Sequence, residues 1–173
     1  MRRATLKAAP RRPDPFGRGR HDHKDCMAQA MHTAERVCAL HGARLTKLRR
    51  RVLELIWQSH DPIGAYAILD ALRQDGRAAA PPTVYRALEF LSEQGLVHRI
   101  ESRNAYLGCA DPEHPHASQF LICARCGAAS ELHDGHIQTV IGSSAREIGF
   151  RVQHVMVEVI GLCPSCAREV AAA

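Results

Sequence analysis

The sequence predicts a mixed α/β (α+β) protein in two parts, a winged helix-turn-helix followed by a small α/β unit stapled by four cysteines. Three observations carry this expectation. Apolar residues recur at helical spacing through four segments that end near Gly95. The pattern then switches to short β-rich runs. Beyond them lie two CxxC pairs, Cys123/Cys126 and Cys163/Cys166.

Each element has its own signal. From Asp25 to His41, Met27, Ala30, Met31, Ala34, Val37, Cys38 and Leu40 follow helical spacing, and Gly42 closes the helix. Thr46 is the expected N-cap of KLRRRVLELIWQSH, whose Leu48, Val52, Leu55 and Ile56 share one face. Asp61-Pro62 breaks that helix. GAYAILDALRQDG gives a third, with Tyr66, Ile68, Leu69 and Leu72 expected inside. PPTVYRALEFLSEQG gives a fourth, with prolines at its start, Gly95 at its end and Val84, Leu88 and Leu91 buried. LVHRIES and NAYLGC then read as a hairpin turning at Arg103-Asn104, which makes a wing, and in such a module the helix before the wing enters the major groove. DPEHPHAS is a linker. After it come the strand candidates SQFLICA, AASEL and RVQHVMVEVIGLC, with a helix over about 134–149 between the last two. The resulting divisions are a disordered basic tail (1–20), a winged-helix domain (21–108), a hinge (109–117) and a second domain (118–173).

Charge is divided unevenly. Residues 1–96 hold 17 Lys/Arg against 10 Asp/Glu, whereas residues 97–173 hold 6 against 8. The basic excess therefore lies in the first half and points to an anionic partner, with nucleic acid leading. Much of it comes from the tail MRRATLKAAPRRPDPFGRGR, whose contribution to binding the sequence leaves open, as it does for His21 and His23. No apolar run reaches the roughly 20 residues of a membrane helix, and the N-terminus lacks a signal-peptide core. A cytoplasmic protein without a membrane partner is expected.

Seven cysteines are an odd number, and metal thiolates in a reducing compartment explain two CxxC pairs better than a disulfide framework does. Two such knuckles supply the closed S₄ shell of structural zinc. The 36-residue separation exceeds that of a zinc ribbon, so the fold must bring the knuckles together. A second, looser set comprises His98, Cys109, His114, His116 and Glu131, around the wing and linker. Taken singly, each has a plainer reading as a solvated or packing residue.

The stretch from Arg44 to Cys166 resembles the ferric uptake regulator family, and within it the zinc uptake regulator branch. The resemblance rests on ARLTKLRRRVLELI, PPTVYRALEFLSEQGLVHRIESRNAYLGC, HPHASQFLICARCGAASEL and GFRVQHVMVEVIGLCPSC, in that order. It implies a homodimeric zinc-dependent repressor of zinc-uptake genes whose partner is double-stranded DNA, at AT-rich palindromic operators. The second part would then be a small α/β dimerisation domain with a four-cysteine zinc site. Cys123, Cys126, Cys163 and Cys166 match the family's structural zinc site. His98, Cys109, His116 and Glu131 match the sensing site of the zinc branch, with His114 as a neighbour, so two Zn²⁺ per subunit are implied. Thr83, Tyr85 and Arg86 fall on the recognition helix. Arg86 would approach a base edge, and Tyr85 a thymine methyl or the backbone, with packing as its alternative. Arg49 and Arg50 would position the protein on phosphates.

Two imidazoles, a thiolate and a carboxylate suit zinc. The iron branch usually carries a dense His run where this chain reads DPEHPHAS. The alternative is an iron- or peroxide-responsive regulator of the same family, which Cys109 disfavours. An enzyme is not expected, nor is a small-molecule substrate: no HxE or HExxH motif supplies a general base beside an open metal position. The long basic extension departs from the family, and a misassigned upstream start codon would explain it.

Overall fold

A computed structural model describes residue 16 and residues 23–58, 61–113 and 118–171. The helices form where the apolar spacing places them: α1 (His23–Leu40), α2 (Lys47–Trp57), α3 (Ala65–Gln74) and α4 (Pro81–Glu93). Thr46 caps α2 from an extended conformation, its hydroxyl accepting from the Arg49 N–H at 3.4 Å. Gly42, Gly76 and Gly95 follow α1, α3 and α4 with φ of 63°, 74° and 69°, a region that glycine enters without strain. Val52, Leu53, Ile56, Ile68, Leu72, Val84, Leu88 and Leu91 interlock as the core of this part, with Ala34, Val37 and Cys38 of α1 against them.

Two of the apolar positions read at helical spacing are exposed. Tyr66 is 68% exposed and Leu40 is 78% exposed. Tyr66 lies about 110° round the helix from the centre of the buried stripe of Ala65, Ile68, Leu69 and Leu72, at 100° per residue. Leu40 is the last residue of α1, past the point where the helix touches the core.

The wing is a three-stranded antiparallel sheet in the order β1 (Ile63–Gly64), β3 (Ala105–Gly108), β2 (Val97–Ile100). The two-residue β1 directly follows the Asp61-Pro62 break and is too short to show as a period. The hairpin turns through a 3₁₀ turn, η1 (Glu101–Arg103), and then Asn104 at φ 45°, the left-handed conformation Asn tolerates. Gly108 is required by packing: a Cβ there would lie 2.5 Å from Nε1 and Cε2 of Trp57. Gly108→Ala is therefore expected to cost about 1–3 kcal/mol. Urea unfolding followed through Trp57, the single tryptophan, should show a lower midpoint at unchanged slope. An unchanged midpoint would mean the indole moves aside freely.

The second part is a three-stranded sheet, β5 (Ala129–Glu131), β4 (Ser118–Cys123), β6 (Met156–Gly161), with α5 (Gly135–Glu147) between β5 and β6 and α6 (Pro164–Ala171) after β6. The last strand is shorter than the expected run from Arg151, and α6, which starts inside the second CxxC, is additional to the expected elements. β4 pairs antiparallel with β5 and parallel with β6, in a register that sets Phe120 beside both Glu131 and Glu158, and Cys123 beside Gly161. Ile100 and Leu107 of the wing pack with Phe120, Ile122 and Ala129, so an apolar cluster joins the two sheets. The expected tail over 1–20 lies outside the described residues except for Phe16, which packs against the cysteine cluster.

Candidate metal centres

The parallel β4–β6 pair closes the 36-residue gap. Its strands run in the same direction and end level, so both CxxC turns leave from the same end of the sheet. The first turn is tied by Cys123 N–H to Ala128 O (2.8 Å) and Gly127 N–H to Cys123 O (3.0 Å), with Gly127 at φ 80°. Ala124 N–H reaches across to Gly161 O at 2.8 Å, joining it to the second. The four sulfurs of Cys123, Cys126, Cys163 and Cys166 lie within 4.8 Å of one another, and Cys126 and Cys163 are 3.8 Å apart. A zinc–sulfur bond of about 2.3 Å implies tetrahedral S···S edges of about 3.8 Å, so the donor set fits that ion. Backbone N–H groups of Cys126 and Cys163 hold the Cys123 thiol below its ordinary range, while burial pushes that of Cys166 up. Thiolates are thus unequally easy to form here, and a cation is what allows several at once.

The second cluster joins the two parts of the chain. His98 comes from β2, Cys109 follows β3, and Glu131 ends β5; their ligand atoms lie within 4.8 Å of one another. His98 Nε2 is 3.0 Å from Glu131 Oε1, and its ring meets Phe120 at 5.3 Å between centroids. Cys109 is buried, its N–H extending the wing ladder to Leu96 O at 3.0 Å. Burial, reinforced by the Glu131 carboxylate, pushes its thiol up to about 12, so it keeps its proton unless a cation replaces it. One imidazole, one thiol and one carboxylate suit a borderline-soft divalent ion. His116 and His114 lie outside the described residues. His133 stands 3.9 Å from Glu131 Oε2 on the side away from His98's contact; an isolated histidine after a short strand carries no motif that would have marked it. Cys26 and Cys109 line one cleft beside Trp57, whereas Cys38 is core.

On α4, Val84, Ala87, Leu88 and Leu91 face inward and leave Thr83, Tyr85 and Arg86 on the open face, Tyr85 42% exposed. Arg49 and Arg50 are half-buried and make contacts within the protein. The Arg49 guanidinium lies 3.4 Å over the Phe90 ring and donates to Arg44 O at 2.8 Å, and Arg50 is paired with Glu35 of α1. Both cations thereby fasten α2 to its neighbours α4 and α1.

The profile of the ferric uptake regulator family matches residues 40–160, which contain α2 to α4, the wing and most of the second sheet. The chain belongs to that family. It is 41% identical to the zinc uptake regulation protein of Escherichia coli (strain K12) over 144 residues, 83% of this chain and 84% of that one. The structure of a zinc uptake regulator complexed with zinc and DNA superposes with a TM-score of 0.79 at 41% identity, covering 89% of this chain and all of the other. A crystal structure of holo XcZur gives 0.75 at 43% identity, over 81% of this chain and 98% of its own. This member of the family thus has the architecture expected from the sequence, helices and wing followed by a sheet with a four-cysteine cluster. Among the described residues no helix is long and apolar enough to cross a membrane.

Proposed function

We propose that this regulator is a zinc-dependent transcriptional repressor that binds AT-rich palindromic operators of zinc-uptake genes as a homodimer. The observation that carries the reading is the convergence of His98 and Cys109 from the wing with Glu131 from the second sheet. Fastening those three side chains fixes the recognition helix relative to the second domain. Two recognition helices are thereby held at the spacing of two half-sites. In this reading residues 21–108 read DNA, 109–117 form the hinge and 118–173 dimerise. The wing-side site would take one zinc through His98, Cys109, His116 and Glu131, and the four cysteines a second, two per subunit. Zinc bound at the wing-side site would supply the positive charge that lets a thiolate and a carboxylate share one point. Moving an open population from about 1:99 to 99:1 requires a preference for the closed form of about 5.5 kcal/mol.

The homodimer is supported by apolar side chains left exposed on the second part: Val140, Ile148, Phe150, Ile160 and Leu162 are 47–82% exposed. A regulator without catalysis fits the four-cysteine set, which closes on a metal and leaves no position for a reacting water, and the wing-side set would close in the same way with His116 as its fourth ligand.

For DNA reading, Thr83, Tyr85 and Arg86 project from the open face of α4, with Arg86 on a base edge. Arg49 acts first by orienting α4 and Arg50 by holding α2 to α1, whatever contact they make with phosphate. Arg86→Ala is expected to cost about 1–3 kcal/mol of operator binding and to relax preference at one base pair, read by competition with singly substituted duplexes. A uniform loss on every sequence would make Arg86 a phosphate contact instead.

The test of the reading is anisotropy of a labelled AT-rich palindrome across buffered free Zn²⁺, with parallel anaerobic Fe²⁺ and Mn²⁺ series. Tight binding only with zinc is expected. Equal activation by iron would move the chain to the iron-responsive branch.

A further inference from the structure

One row of the second sheet faces the wing along its whole width. Phe120 on the central strand has Glu131 beside it on β5 and Glu158 beside it on β6, so the three side chains leave the same face. Glu131 meets His98, and Phe120 meets the His98 ring. Glu158 meets the tip of the wing: its two carboxylate oxygens accept the backbone N–H of Glu101 at 2.6 Å and of Ser102 at 3.0 Å. Those are the first two N–H groups of η1, which have no partner within the turn itself. Burial would raise the Glu158 carboxyl, but the bonds from Ser102 and Glu101 outweigh it and hold the group below the usual carboxylate range. On the same turn the Arg103 guanidinium lies against Gly127 of the first CxxC turn, where a Cβ would come 2.6 Å from Nη2.

We propose that Glu158 is a second clasp between the wing and the second domain, distinct from the metal ligands, that sets how much zinc the protein needs before it binds DNA. The inference rests on the zinc-switch reading above. Glu131 and Glu158 stand on opposite edges of one sheet with Phe120 between them. A fastening at Glu131 alone leaves the wing able to swing about that edge, and Glu158 holds the far side. Its bonds are charge-assisted and go to backbone, so they fix the turn itself and not a rotatable side chain. A positioning residue of this kind biases the closed form before metal arrives, and less zinc preference is then required to complete the shift.

The test uses the full chain with two substitutions made from opposite sides of the contact. Glu158→Gln keeps the shape and removes the charge. Glu101→Pro removes one of the donated N–H groups from the wing side. It is compatible with the backbone because the preceding Ile100 is extended, φ −91° and ψ 103°. DNA binding is followed by anisotropy on a labelled AT-rich palindromic duplex across buffered free zinc, with zinc content and circular dichroism measured in parallel. Each variant is expected to need about 10- to 100-fold more free zinc at half-saturation. The double variant should need no more than the stronger single one, since both break the same contact. Zinc content and helix signal should stay at wild-type values after saturation. Wild-type zinc midpoints in both variants would overturn the proposal, and so would shifts that multiply in the double variant. If Glu158→Gln failed to fold, Glu101→Pro alone would decide by the same midpoint. A wild-type protein that bound DNA without zinc would overturn the switch reading and the clasp with it, an outcome visible in the wild-type series alone.

Discussion

Cys163→Ser is expected to remove one zinc per subunit and to unfold the second part of the chain. Serine keeps the volume but does not ionise, so the buried cluster loses a thiolate at the point where Cys126 and Cys163 approach to 3.8 Å. The unit from 118 onward is small enough that its apolar core is marginal. Structural zinc in comparable modules contributes about 10–16 kcal/mol of apparent binding free energy, which is folding free energy when no site exists in the unfolded chain. If only about 3 kcal/mol of that were lost, the thermal midpoint of a unit this size would fall by about 12–24 °C. Calorimetry with metal analysis checks both quantities. A wild-type midpoint with one zinc missing would show that the sheet holds itself together by packing and that the cluster is incidental to folding.

The second large effect is expected from Cys109→Ser, and it should look different. Cys109 is buried at the end of the wing, and its thiol holds its proton until a cation displaces it. Serine there preserves packing but withdraws the soft donor that favours zinc over iron. Loss of a mere supporting partner of a metal ligand costs about 10–100-fold in affinity, so loss of the ligand itself should raise the free zinc needed for DNA binding by about 100-fold or more. The four-cysteine zinc, the fold and the dimer should survive. The contrast between the two substitutions separates a metal that holds the domain together from a metal that sets its orientation. Equal zinc midpoints for Cys109→Ser and wild type would remove Cys109 from the sensing set.

Helices and knuckles were legible in the sequence because their signals are local. A 3.6-residue apolar period, a Thr46 cap and glycines after the last turn settle within a dozen residues. Tyr66 was misplaced because a single aromatic in a short helix is assigned by type when only its angle decides. The CxxC pairs announced their chemistry, but the parallel β4–β6 register that unites them is a long-range pairing with no sequence mark. The wing-side cluster was readable only as a loose set, and the family resemblance chose four members from it; three of those four, His98, Cys109 and Glu131, converge among the described residues. Arg49 and Arg50 read as surface cations because nothing local reveals the Phe90 ring or Glu35 beside them. Glu158 had one available signal, a lone carboxylate inside the apolar strand MVEVIG. On a strand with one face against protein, such a residue needs a partner, and the wing tip supplies it.

In the proposed switch, metal at the wing-side site, and not at the four cysteines, turns DNA binding on. The direct measurement starts from protein carrying one zinc per subunit, held there by a competing chelator, and adds a second equivalent while operator affinity is followed. Weak, largely sequence-independent binding is expected at one equivalent, with a steep gain that saturates at two. Full operator affinity with one zinc per subunit would contradict it.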